Sequence, residues 1–106
     1  MAFVNIVLFG AGAIAREHAR VIRALQEKRG QSDLRLAGVY APRLEAAEAF
    51  AAEFDLPSAT TDPRRYLDNP GMDVVLVCSP SACHVPQTRA ALEAGKHVLC
   101  EIPLAL

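Results

Sequence analysis

The run Gly10-Ala11-Gly12-Ala13-Ile14-Ala15 has the spacing G-x-G-x-x-A, and the chemistry open to it is the binding of a diphosphate by main-chain amides. Gly10 permits a tight turn, Gly12 keeps side-chain atoms out of the anion's path, and Ala15 lets a helix lie close on a sheet. The first-turn amides, those of Ala13 and Ile14 among them, then meet the anion together with the positive end of the helix dipole. Two further groups could complete such a site. Ser79-Pro80 with His84, and Glu101 with Pro103, each follow an apolar run. Ser79 and Pro80 shape a loop whose backbone can face a ligand, and His84 would make either a helix-terminal hydrogen bond or a ligand contact. A carboxylate that ends an apolar strand needs a partner, and a ribose hydroxyl would serve Glu101.

These residues act together only if the chain places them at one end of a sheet. Residues 3–9 (FVNIVLF) are apolar and β-branched almost throughout, as in a strand covered on both faces. Residues 13–29 are strong helix formers, with Ile14, Val21, Ile22 and Leu25 as the apolar side and Gly30 as the terminating cap. A second strand over 34–40 and an alanine-rich helix over 43–54 follow, then a short strand over 59–61 and a brief helix opened by Asp62-Pro63. Asn69-Pro70-Gly71 is turn chemistry before the most strand-like stretch, 73–78. A helix over 84–94 closed by Gly95 and a fifth strand over 97–100 complete the order. The fold class is therefore α/β: a Rossmann-type doubly wound parallel sheet, strand order 3-2-1-4-5, with helices on both faces. Residues 1–106 read as one dinucleotide-binding domain, and the apolar Leu104-Ala105-Leu106 just past the last strand points to a fragment of a longer protein.

In such a sheet the ligand lies beyond the carboxyl ends of the strands, and an acidic residue ending strand two would hold both adenosine ribose hydroxyls of NAD. The run here is Val39-Tyr40-Ala41-Pro42-Arg43, and the first carboxylate is Glu45, already in the next helix. Ala41 leaves nothing to repel a 2′-phosphate and Arg43 offers a forked cationic donor for one, so NADP is expected over NAD. His97 stands at the opposite end of the sheet and reads as structural.

Composition narrows the class. Eleven Lys+Arg against 12 Asp+Glu give a formal charge of −1, without the cationic excess that nucleic acid or an anionic membrane surface requires. No apolar stretch nears the ~20 residues of a membrane-spanning helix. Cys78, Cys83 and Cys100 form an odd set with no C-x-x-C, which fits reduced core thiols rather than a disulfide framework or a metal site. A cytoplasmic protein acting on a small molecule is the expectation.

The chain resembles the Gfo/Idh/MocA oxidoreductases. The likeness runs from Gly10-Ala11-Gly12 through Met72-Asp73-Val74-Val75-Leu76-Val77-Cys78-Ser79-Pro80 and His84 to Ala94-Gly95-Lys96-His97-Val98-Leu99-Cys100-Glu101. It implies an amino-terminal domain binding a nicotinamide cofactor, followed by an α/β domain that carries most of the substrate pocket, the proton-transfer histidine and the interface of a homo-oligomer. Hydride transfer between NADP and a sugar-like, hemiacetal or carbonyl substrate is the implied activity. Family members commonly read glutamate-lysine-proline where this chain has Glu101-Ile102-Pro103, and isoleucine can neither donate a proton nor stabilise an oxyanion. That run, continued by Leu104-Ala105, is similar to the 4-carboxy-2-hydroxymuconate-6-semialdehyde dehydrogenase branch, which uses NADP. The competing reading is a nucleotide-sensing module that lost catalysis with the lysine. An interaction domain with an empty glycine loop is a third. The catalytic residues themselves are not legible.

Overall fold

Strand β1 (Val4–Phe9) lies at the centre of the molecule in the computed structural model, which describes residues 3–29 and 33–100. Its pleat sends Ile6 and Leu8 to one face and Val7 and Phe9 to the other, and each pair joins a separate apolar core. Both cores need covering layers, which is why an almost unbroken apolar run is stable here. The partners are β2 (Leu34–Tyr40), β3 (Ala59–Thr60), β4 (Val74–Val77) and β5 (His97–Cys100), all parallel, in the order β3-β2-β1-β4-β5. Helices α1 (Ala13–Arg29) and α2 (Leu44–Phe54) cover one face through Ala15, Ala19, Ala47 and Phe50. The short α3 (Arg64–Leu67) and α4 (His84–Glu93) cover the other through Tyr66, Leu67 and Ala91. The α/β class, the strand order and the two-sided helices are thus as the sequence implied.

One face differs from its expected composition. Along α1 the buried residues are Ala15 and Ala19, both fully inaccessible, with Ile22 packed against the same core. Ile14 and Val21 are 47% and 55% exposed, and Leu25 too is exposed. The physical reason is distance: a helix that starts at the glycine turn lies so close to the sheet that only methyl groups fit beneath it, and the larger apolar residues rotate outward. The polar side of α1 has its own structural task. Arg23 donates to the carbonyls of Phe54 (2.6 Å) and Asp55 (3.2 Å), satisfying the carboxyl end of α2 with a cation.

Gly38, inside β2, was not singled out from the sequence, and its role is steric. A Cβ there would collide with the hydroxyls of Tyr66 and Ser58. Tyr66 is 1% exposed, its hydroxyl 2.8 Å from Ser58 Oγ, and Ser58 in turn donates to Ala37 O at 2.8 Å. The β1–β2 register slips at this point, pairing Ile6 with Leu36 and Val7 with Gly38. Beyond α4, Gly95 has φ +79°, the left-handed geometry that ends the helix. The expected cap at Gly30 and the closing residues Leu104, Ala105 and Leu106 lie outside the described residues. Among the described residues, no helix is long and apolar enough to cross a membrane.

Candidate dinucleotide-binding cleft

β1 delivers the chain to the carboxyl edge of the sheet, where Gly10 turns it. Gly10 has φ +121°, and an added Cβ would lie 2.8 Å from both the carbonyl carbon and oxygen of Cys78 and 2.9 Å from Ser79 N. Its amide donates to Tyr40 O at 2.8 Å, while Cys78 N donates to Phe9 O at 2.9 Å. The glycine elbow is therefore wedged between the ends of β2 and β4 by main-chain contacts alone, a demand made by the protein itself. Gly12 differs. Among the described residues, nothing beyond its chain neighbours lies within 4 Å of the Cβ position there, so their packing does not require the open space beside it. Arg16 N donates to Gly12 O at 3.0 Å, closing the first turn of α1. The amides of Ala13, Ile14 and Ala15, being ahead of that bond, have no partner within the helix.

The chain leaves β2 through Tyr40, whose ring meets Phe9 edge-on at 5.2 Å. Ala41 turns its methyl into the core, 3% exposed, and its amide donates to Thr60 O at 3.1 Å. The residue beside the cleft is instead Pro42. The alternating pleat at the strand end explains this: consecutive side chains cannot both face the cleft. Arg43 immediately precedes α2 with its side chain 82% exposed, 3.8 Å from Glu45 Oε2, and is not among the residues lining the cleft. So open an ion pair holds the guanidinium weakly.

After β4, Cys78, Ser79 and Pro80 enter a 3-10 turn (Ser81–Cys83) that runs directly into α4. His84 is 3% exposed and its Nε2 lies 2.6 Å from Ser79 O. The ring thus makes a hydrogen bond to the loop at the start of its own helix, the first of its two expected roles. Gln87, three residues further along the helix, accepts the Ser79 hydroxyl proton on Oε1 at 2.5 Å. One helical turn thus grips Ser79 at both its carbonyl and its hydroxyl.

These loops enclose a cleft of about 520 Å³ at the carboxyl ends of β1, β2 and β4. Gly10, Gly12, Ala13, Ile14, Ser79 and Pro80 line it. Ala15 and Ala41 stand in the core, Arg43 is solvated in the loop after the lining Pro42, and His84 bonds the Ser79 carbonyl. Glu101 and Pro103, with Ile102 between them, lie outside the described residues. Sequence reasoning missed Tyr40, Pro42, Cys83 and Gln87 on the wall. For Gln87 a signal existed: it is three residues from His84, hence on the same side of α4. A second hollow, of about 400 Å³, lies at the other end of the strands between Asn5, Arg35, Arg65 and Asn69, far from the glycine elbow.

A parallel sheet of this order, with an amide-lined glycine elbow at its carboxyl edge, defines a dinucleotide-binding Rossmann domain. Comparison with known proteins places it more narrowly. Residues 4–106 match the model of the Gfo/Idh/MocA oxidoreductase family, NAD-binding Rossmann fold, and the chain belongs to that family. It is 38% identical over 104 residues to D-glucoside 3-dehydrogenase of Escherichia coli (strain K12), covering 97% of this chain and 28% of that protein. It is 31% identical over 102 residues to 4-carboxy-2-hydroxymuconate-6-semialdehyde dehydrogenase of Sphingobium sp., covering 96% and 30%. Among solved structures, levoglucosan dehydrogenase in complex with NADH and levoglucosan superposes with a TM-score of 0.88 at 30% identity, covering 96% of this chain and 28% of that one. The chain spans less than a third of the length of these relatives.

Proposed function

We propose that this domain seats NADP in an oxidoreductase that transfers a hydride between the cofactor and a sugar-like, hemiacetal or carbonyl substrate. The observation that carries the reading is the open space at Gly12, directly before the three first-turn amides of α1 that have no partner within the helix, beside the 520 Å³ cleft. The protein's own packing does not ask for glycine at that position, whereas a diphosphate approaching the amides does. Ala13 and Ile14 supply those amides, and Ala15 supplies the closeness of helix to sheet.

The sheet order orients the cofactor. Its adenosine half lies toward β2 and its nicotinamide half toward β4, on opposite sides of the elbow at the end of β1. Among the described residues no Asp or Glu lines the cleft, and Arg43, next in the chain to the lining Pro42, is loosely held, so a 2′-phosphate on the β2 side has a cation within the same loop. Ser79 and Pro80 border the nicotinamide half, His84 fixes the Ser79 carbonyl, and Glu101, which follows β5 in the sequence, is assigned with Pro103 to the nicotinamide ribose. When bound, the nicotinamide supplies the hydride acceptor or donor; the residues of this chain bind and orient it.

Substrate recognition and the proton-transfer group belong to chain beyond this domain, in an assembly of like subunits. The sugar dehydrogenases among the relatives support a polyol or cyclic hemiacetal substrate. The muconate semialdehyde dehydrogenase, at 31% identity, supports a carbonyl substrate beside them. The three thiols of Cys78, Cys83 and Cys100 suit a reducing compartment, the cytoplasm. Calorimetric titration of the full chain with NADPH and NADH tests the reading. Tighter binding of NADPH is expected, a preference for NADH removes the Arg43 assignment, and binding of neither removes the function.

A further inference from the structure

Ser79 and Gln87 both line the cleft, and their hydroxyl and amide are bonded to each other. The proton count of this pair is informative. Ser79 has one hydroxyl proton, and it goes to Gln87 Oε1. What remains toward the cleft is a lone pair on Ser79 Oγ and the two protons of Gln87 Nε2. If the amide is turned the other way, Nε2 donates to Ser79 Oγ, and the pair offers the serine proton together with Oε1. Either orientation leaves one donor beside one acceptor. That is the complement of a primary carboxamide, which offers an N–H and a carbonyl oxygen side by side.

We propose that Ser79 and Gln87 form a clasp for the carboxamide of the nicotinamide, fixing the rotation of the ring about its ribose and so the face turned to substrate. The proposal rests on the cofactor reading above and adds to it a recognition element at the β4 side. His84 positions the clasp, since its ring holds the Ser79 carbonyl from below. The paired geometry matters because, among the described residues, the rest of the cleft wall is largely apolar.

The test is calorimetric titration of the full chain and its Gln87→Glu variant with three probes. These are NADPH, its 3-acetylpyridine analogue, which has a methyl group in place of the amide nitrogen, and 2′-phospho-ADP-ribose, which has both riboses but no nicotinamide. Glutamate still accepts the Ser79 proton, so the loop is retained while the pair becomes acceptors only. Gln87→Glu is expected to weaken NADPH about tenfold, ~1.4 kcal/mol, and to change 2′-phospho-ADP-ribose less than twofold. Wild type should prefer NADPH to the acetylpyridine analogue about tenfold, and the variant, which keeps an acceptor for the amide N–H but has lost the donor to the carbonyl, should keep that preference while binding both probes more weakly. Equal weakening of NADPH and 2′-phospho-ADP-ribose would mean a ribose or purely structural contact and would overturn the clasp, as would no change in either. Failure of wild type to bind 2′-phospho-ADP-ribose would instead strike the glycine-elbow reading on which the clasp stands, and take both down.

Discussion

The two glycines of the elbow should respond to substitution in opposite ways. At Gly10 a methyl group meets backbone atoms of Cys78 and Ser79 at 2.8–2.9 Å, and φ is +121°. The left-handed geometry costs a non-glycine residue ~1–2 kcal/mol, and forcing apart close-packed backbone costs roughly another 1–3 kcal/mol. Gly10→Ala should therefore destabilise the fold by about 3 kcal/mol. At Gly12 nothing lies within 4 Å and φ is not in the glycine region, so Gly12→Val should cost stability no more than the ~1 kcal/mol typical of an unfavourable residue at a helix start. Its branched side chain nevertheless fills the approach to the Ala13 and Ile14 amides. Loss of NADPH affinity by more than a hundredfold, about 2.8 kcal/mol, is expected. Urea denaturation followed by circular dichroism reads the first effect, and calorimetric titration of the still-folded Gly12→Val protein reads the second. A Gly12→Val protein that is fully folded and binds NADPH like wild type would refute the assignment. A Gly10→Ala protein as stable as wild type would refute the wedge geometry.

Three further outcomes follow from other contacts. Arg43→Ala should weaken NADPH about tenfold while altering NADH less than twofold, because the side chain is solvated until a 2′-phosphate reaches it; equal effects in the same titrations would count against the NADP assignment. His84→Ala removes the bond to Ser79 O and leaves a hole under the loop, so a stability loss of ~1–3 kcal/mol is expected in urea melts, with faster amide exchange at Ser79; unchanged exchange would mean that the loop holds itself. Gly38→Ala should cost about 2–3 kcal/mol through the collision with Tyr66, and Tyr66→Phe should return part of it by removing one of the clashing oxygens; simple additivity of the two would disprove the contact.

Most of the sheet was legible because its strands are buried on both faces, which forces apolar β-branched runs that no surface element shares. The glycine elbow was legible because its constraints are local, within one strand-turn-helix unit. The misread element, α1, shows where local patterning ends. Ile14, Val21 and Leu25 form the more hydrophobic set, yet Ala15 and Ala19 are the buried ones, because the depth of the groove is set by the turn at Gly10 rather than by α1 itself. Gly38 announces a close approach, but the approaching ring of Tyr66 is 28 positions away and nothing in the sequence of β2 points to it. At the end of β2 the sequence shows that Ala41 brings no carboxylate, but not that its methyl turns into the core while Pro42 lines the cleft.

The same comparison separates residues that serve the fold from residues that serve a ligand. Gly10, Ala15 and Ala41 have a sufficient reason in the protein's own atoms: each is small because backbone or core crowds it. Gly12 has no such reason, and neither does the donor left over on the Ser79–Gln87 pair. Both border one cleft, on the wall that runs from the start of α1 to the first turn of α4. A polar donor beside open space is satisfied by water as well as by a ligand, so the hydrogen bond alone decides nothing. What decides is shape: at Gly12 water would tolerate any side chain, and only a group that must come within contact of the main chain excludes one. The dependence of cofactor binding on Gly12 is therefore a stricter criterion than the dependence on any polar residue in the cleft, including Arg43.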